Sequence, residues 1–113
     1  MTSIEPLSAD ELLAGAALVF DVAVPPQVLR PGSEGDRPPE PLVVQLRPLT
    51  IGTFQLIMKA SRQEAGLIPL LMIKESLVRP QLSLDQVRAM PLGMVNFFIG
   101  QIRHLSGLEE KKT

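Results

Sequence analysis

The sequence predicts an α+β protein: an N-terminal two-stranded antiparallel ribbon with a long Pro-rich loop, followed by a bundle of about four short helices. Three observations carry that expectation. Residues 18–24 and 42–47 are short strand-like runs, the second alternating strictly. From Pro48 onward apolar residues recur at helical spacing between Pro and Gly punctuation. Between these patterns lie six of the eleven prolines, from Pro25 to Pro41, with Gly32, Ser33 and Gly35 among them. Such a segment is expected to be an exposed loop or arm, neither helix nor central strand, and mobile in isolation.

Each element has a local reason. Ser8-Ala9-Asp10-Glu11 fits a capping box and opens a short helix through about Ala16. In the first strand Val22 and Val24 are in phase with Phe20; in the second, Leu42, Val44 and Leu46 share one face. The two runs can pair across the Pro-rich loop, but a ribbon of two strands needs helices or another chain beneath it. Thr50 caps a helix carrying Ile51, Phe54, Ile57 and Met58, with Gly66 as its terminator. A second helix runs from about Leu67 to Val78, Pro69 lying in its first turn and Pro80 stopping it. It is apolar around most of its circumference, which marks it as the central helix. Ser83-Leu84-Asp85-Gln86 is a second capping box, opening a helix to about Ala89. Pro91 starts the last helix, about Leu92 to Leu105, and Gly107 ends it with Leu108 placed to close the cap.

With 113 residues the chain fits one domain, since domains typically run about 100–150 residues. Its organisation is an acidic segment 1–41 with a strand and the Pro-rich arm, a body 42–108 of strand plus helices, and a charged tail 109–113. Hydrophobic residues at 45% and charged residues at 20% read as a globular, soluble chain. The net charge of −1 conceals an asymmetry. Residues 1–41 hold seven acids against two bases, and residues 42–104 hold seven bases against three acids. The two parts either attract each other weakly or present a mildly basic face to an acidic partner. The start of the chain lacks the positive flank of a secretory signal, and no apolar run approaches the roughly 20 residues of a membrane span. No membrane partner is expected, and the default location is cytoplasmic.

Catalytic chemistry has little to stand on. There is no cysteine and one histidine, His104, so thiol chemistry and multi-histidine metal sites are excluded. His104 and Ser106 lie too close together on one helix end for a usual nucleophile–base pair, and no Gly-x-Ser-x-Gly elbow exists. A cation at position 104 would complement the helix dipole, which is a structural role. Glu64, Glu75 and Asp85 are separated by helix boundaries and face solvent. No enzyme activity, metal or cofactor is expected. Nor is nucleic acid: the last helix would offer Met94, Phe97, Phe98 and Ile99 to base edges, with Arg103 as its one basic group.

As a protein-binding surface the same helix is more promising. Val95, Phe98, Ile99, Ile102 and Leu105 suffice for a core stripe, while Met94 and Phe97 widen it. Met58, Met72, Met90 and Met94 suit a repacking surface, and they equally suit gap-filling in a core with few aromatics.

Together these elements form a recognisable order. Val43-Val44-Gln45-Leu46-Arg47-Pro48-Leu49-Thr50 runs from strand into helix, and a later helix ends in Leu77-Val78-Arg79-Pro80. Leu82-Ser83-Leu84-Asp85-Gln86-Val87 and a turn at Pro91 follow, and the last helix closes with Ile102-Arg103-His104-Leu105-Ser106-Gly107-Leu108. From about Val43 to Leu108 this pattern resembles the tail assembly chaperones of tailed bacteriophages and related small proteins of phage-tail-like contractile injection systems. The Pro-rich arm and acidic N-terminal segment depart from it.

The resemblance implies a non-enzymatic role in a bacterial cell, at the site of particle assembly. It implies binding to the tape-measure protein and to tail-tube or other tail proteins, and it leaves homo-oligomer formation open. The expected helical binding face is Met90, Met94, Phe97 and Phe98, with Arg88 and Arg103 at its rim. The competing expectation is a structural adaptor retained in the particle, adding the 18–24 strand or the arm to a neighbour's sheet through Val22, Val24 and Val44. A small enzyme, the third alternative, would need a pocket around His104.

Overall fold

The computed structural model describes residues 5–30 and 42–108. Its architecture is α+β, a small antiparallel sheet packed on helices. The order is α1 (Ala9–Leu13), a 3-10 turn (Ala14–Ala17), β1 (Phe20–Ala23), α2 (Pro26–Leu29), β2 (Val43–Leu46), α3 (Ile51–Ala60), α4 (Leu67–Ser76), β3 (Leu77–Arg79), α5 (Leu84–Arg88) and α6 (Leu92–Leu105). The Pro-rich arm beyond Arg30 and the charged tail lie outside the described residues.

β1 and β2 pair antiparallel as the alternation predicts, with Phe20 opposite Leu46, Asp21 opposite Gln45, Val22 opposite Val44 and Ala23 opposite Val43. Val22, Val24 and Leu46 are buried, so one face of the sheet meets the helices. The expected ribbon is in fact a three-stranded sheet, ordered β1-β2-β3. β3 pairs antiparallel with β2, Gln45 opposite Arg79 and Leu46 opposite Leu77, across an irregular register. Leu77 to Arg79 were expected to continue the preceding helix. The residue before a proline disfavours helical backbone, and β2 offers a ladder nearby. α4 therefore stops at Ser76 and the chain extends into a strand before the cis Arg79–Pro80 bond.

Two other expectations change. The Pro-rich segment was expected to hold no helix, yet Pro26 to Leu29 make one helical turn with Pro26 at its first position. Proline has the backbone angle that position requires and no amide to leave unpaired there. Gly66 does not end α3, which stops at Ala60. It stands before α4 with helical backbone, φ −64°, so its freedom as a glycine is unused.

The remaining boundaries follow their local signals. Ser8 Oγ accepts from the Glu11 amide (3.1 Å) while Glu11 Oε1 accepts from the Ser8 amide (2.9 Å). Ser83 and Gln86 repeat that reciprocal arrangement at α5, and Thr50 Oγ1 accepts from the Thr53 amide at α3. α6 ends in a Schellman motif. The Leu108 amide donates to the Arg103 carbonyl (2.7 Å) and the Gly107 amide to the His104 carbonyl (3.2 Å). Gly107 takes φ +75°, where a side chain would be strained.

α4 is the central helix. It packs against α3, α5 and α6, and every one of its residues is at least half-buried. The core is Val22, Val24, Leu46, Ile57, Met72, Ile73, Leu77, Val87, Phe98 and Ile102. It draws on both the sheet and the helices.

Candidate functional site

The helical face expected to bind partners is largely used by the protein itself. Phe98 is 3% exposed and belongs to the core, so it cannot meet a partner. The reason is rotational: Phe98 and Ile102 lie one turn apart on the side of α6 that faces inward. Phe97 stands edge-on to it, ring centres 5.6 Å apart at 65°. Phe97, Met90 and Met94 are half-buried and pack on the core, which favours gap-filling for both methionines. α2 also packs against α6. Arg88 and Arg103 are exposed.

On the strands, Val22 and Val24 are buried and Val44 is half-buried on the inward face of the sheet. Their side chains are therefore not a docking surface. The backbone of β1 lies at the edge of the sheet. The Val24 amide donates to the Leu42 carbonyl (2.8 Å), so residues 20, 22 and 24 direct their amides and carbonyls toward β2. Asp21 and Ala23 direct theirs away, along an edge with no strand beyond it among the described residues. Asp21 Oδ1 accepts from Gln45 Nε2 (3.2 Å) on the outer face. A charge in mid-edge is a common guard against unwanted pairing.

The exposed apolar side chains lie elsewhere. On α3, Ile51, Leu56 and Met58 are exposed, Leu56 to 68%. At about 100° per residue, Ile51 and Met58 fall on one flank of the inward-facing Phe54 and Ile57, and Leu56 on the other. Beside Leu56 a cleft of about 210 Å³ opens between α3 and α4. Thr53, Leu56, Ile57, Ala60, Leu71 and Glu75 line it. Glu75 is 3.7 Å from Lys74 in a partly exposed ion pair, which softens its charge at the cleft edge. Leu92, 81% exposed, opens α6, and Leu7, Leu12 and Leu13 stand out from the N-terminal segment. Apart from Met58, which suits a repacking surface in sequence, sequence reasoning did not single out these groups. The signal for Leu56 was present: it is the apolar residue of α3 that falls off the Ile51, Phe54, Ile57, Met58 stripe.

Ser106 is engaged structurally, its Oγ accepting from the Leu49 amide (2.9 Å) and tying the start of α3 to the end of α6. His104 is exposed in the last turn of α6. Hydrogen bonds from the Ser8 amide and then from its hydroxyl hold the Glu11 carboxyl below its ordinary range. Among the described residues no group of three or more His, Cys, Asp or Glu could hold a metal ion. No helix there is long and apolar enough to cross a membrane.

No family model matches the chain, and no curated protein or solved structure matches it.

Proposed function

We propose that this chain is a non-enzymatic assembly protein of a phage-tail-like particle, binding apolar helices of the tape-measure protein and tube subunits. The observation that carries the reading is the exposure of Leu56 at the edge of the α3–α4 cleft, Ile51 and Met58 being exposed on the opposite flank of α3. Exposed apolar groups beside a helix–helix groove suit an amphipathic helix laid into it. The pattern from Val43 to Leu108 supplies the class of client. The docking helix in this reading is α3, with Met90, Met94 and Phe97 of α6 as a half-covered second face.

The test is co-expression of a tape-measure protein with Leu56→Asp and, separately, Leu92→Asp. Both positions are exposed, so both variants should fold. Loss of co-purification with Leu56→Asp alone supports α3 as the docking helix. Full retention in both sinks it.

The outer edge of β1, which meets no further strand among the described residues, favours a second reading, an adaptor retained in the particle that joins a neighbour by strand addition. Proline at position 23 removes an outward amide without touching the ladder to β2. If Ala23→Pro abolishes incorporation into purified particles while Leu56→Asp does not, the adaptor reading replaces the first.

A further inference from the structure

β1 turns only half of its backbone groups to β2. Phe20, Val22 and Val24 direct theirs to Leu46, Val44 and Leu42, so Val19, Asp21 and Ala23 direct theirs outward. No strand lies beyond that edge among the described residues, and Asp21 and Ala23 are exposed on it. The opposite edge, β3, ends at Arg79 before Pro80 and is three residues long, and a short edge strand discourages pairing.

An antiparallel partner at the β1 edge has few registers open to it, because outward residues must meet outward residues. For a second copy related by a two-fold axis, the residue on the axis fixes the register. With Asp21 on the axis, like charges stand directly opposite, their Cβ atoms about 4.5–5.5 Å apart. With Phe20 there, Asp21 meets Val19, which precedes the strand. With Ala23 there, Asp21 meets Pro25, which has no amide to donate. Val22 on the axis avoids all three faults. Asp21 then meets Ala23 of the second copy, and each such pair exchanges both of its hydrogen bonds within β1. The Asp21 residues of the two copies fall on a diagonal, about 7–8 Å apart. Asp21 Oδ1 already accepts from Gln45 Nε2 (3.2 Å), on the side away from the edge. On the inner face Val22 meets Val22, and the half-buried Phe20 meets Val24 of the second copy. Past the ladder, the exposed Val19 comes alongside Pro25 of the second copy. The mid-edge charge therefore excludes one self-pairing and leaves another open.

We propose that two copies of this chain pair through β1, antiparallel about a two-fold axis at Val22, with Asp21 opposite Ala23 of the second copy. The two sheets become one, ordered β3-β2-β1-β1-β2-β3, with the helices of both copies on the same face. The interface is isologous, each β1 being its own complement. The ladder is short, so the dimer dissociates on dilution. The proposal rests on the strand-addition reading for its edge and names a second copy as the partner there. It leaves α3 free for a client.

The purified full chain, without particle components, tests it. Its mass by light scattering should rise from monomer toward dimer with concentration, and the Asp21 and Ala23 amides should then exchange several-fold more slowly. Ala23→Asp sets like charges opposite each other at both ends of the ladder and should leave a folded monomer. Adding Asp21→Lys makes both pairs opposite in charge and should restore the dimer. Both positions are exposed, so the variants should fold, which circular dichroism checks. A monomer at every concentration overturns the proposal, as does a dimer whose Asp21 and Ala23 amides stay unprotected. So does a dimer indifferent to Ala23→Asp, or a folded double variant that stays monomeric. Incorporation of Ala23→Pro into particles is read separately. Normal incorporation removes the strand-addition reading with the dimer intact, and a monomeric chain leaves that experiment untouched.

Discussion

Ser76 and Arg47 are bonded to each other twice. The Arg47 amide donates to the Ser76 carbonyl (2.9 Å), and the Ser76 hydroxyl donates back to the Arg47 carbonyl. Arg47 Nε donates to the neighbouring Glu75 carbonyl (2.9 Å). These bonds join the exit of β2 to the C-terminal end of α4, where helix carbonyls need partners. Ser76 is fully buried, so water cannot replace its hydroxyl. Ser76→Ala leaves the Arg47 carbonyl short of a donor and should cost about 1–3 kcal/mol. Thermal denaturation followed by circular dichroism reads the loss, and an unchanged midpoint would show the bond to be dispensable.

Ser61 is the opposite case. It is buried at the C-terminal end of α3, and its hydroxyl has no hydrogen-bond partner among the described residues. Ser61→Ala removes a polar group held out of water at a cost, so stability should hold or rise by up to about 1 kcal/mol. The same denaturation experiment distinguishes the two serines by sign.

Gly107 should resist replacement for a conformational reason alone. A Cβ there would meet nothing within 4 Å, so the strain of φ +75° is the whole penalty. Gly107→Ala should cost about 1–2 kcal/mol and loosen the last turn of α6. Amide exchange at Leu108 and Gly107 would report the loosening.

Phe98 and Leu92 share a helix and should differ sharply. Phe98→Ala empties a core site and should cost about 3–5 kcal/mol. Leu92→Ala removes a side chain already in solvent and should stay within about 0.5 kcal/mol. Equal losses would mean that Leu92 is covered in solution.

The cap of α1 carries a pH dependence with a definite sign. Ionised Glu11 is the form that accepts from Ser8, and its folded pKa lies below the unfolded value. The stabilisation is therefore present above the unfolded pKa and is lost as pH falls through the folded one. The carboxyl carbon shift of Glu11 should titrate lower than that of the unfolded chain. Ser8→Ala removes the hydroxyl and keeps the amide, so it should raise the Glu11 pKa part of the way toward the ordinary range.

The sequence by itself determined what depends on neighbours a few residues away. The caps at Ser8, Thr50 and Ser83, the proline at the start of α6 and Gly107 at its end act through local backbone groups, so their spacing suffices to read them. The pairing of β1 with β2 and the inward face of Val22, Val44 and Leu46 followed from period-two alternation. Only the tertiary structure decided what depends on distant surfaces. Leu77 to Arg79 became a strand because β2 lay beside them; Phe98, in the core stripe by its spacing, was closed to a partner because α4 and α6 meet on that side. Which apolar groups remain exposed was decided the same way. Burial is a property of the partner surface as much as of the residue, and a single sequence does not say which helix will cover which. The place of Leu56 off the α3 stripe was legible in the sequence; the cleft beside it and the exposure of the α1 leucines were decided by the tertiary structure.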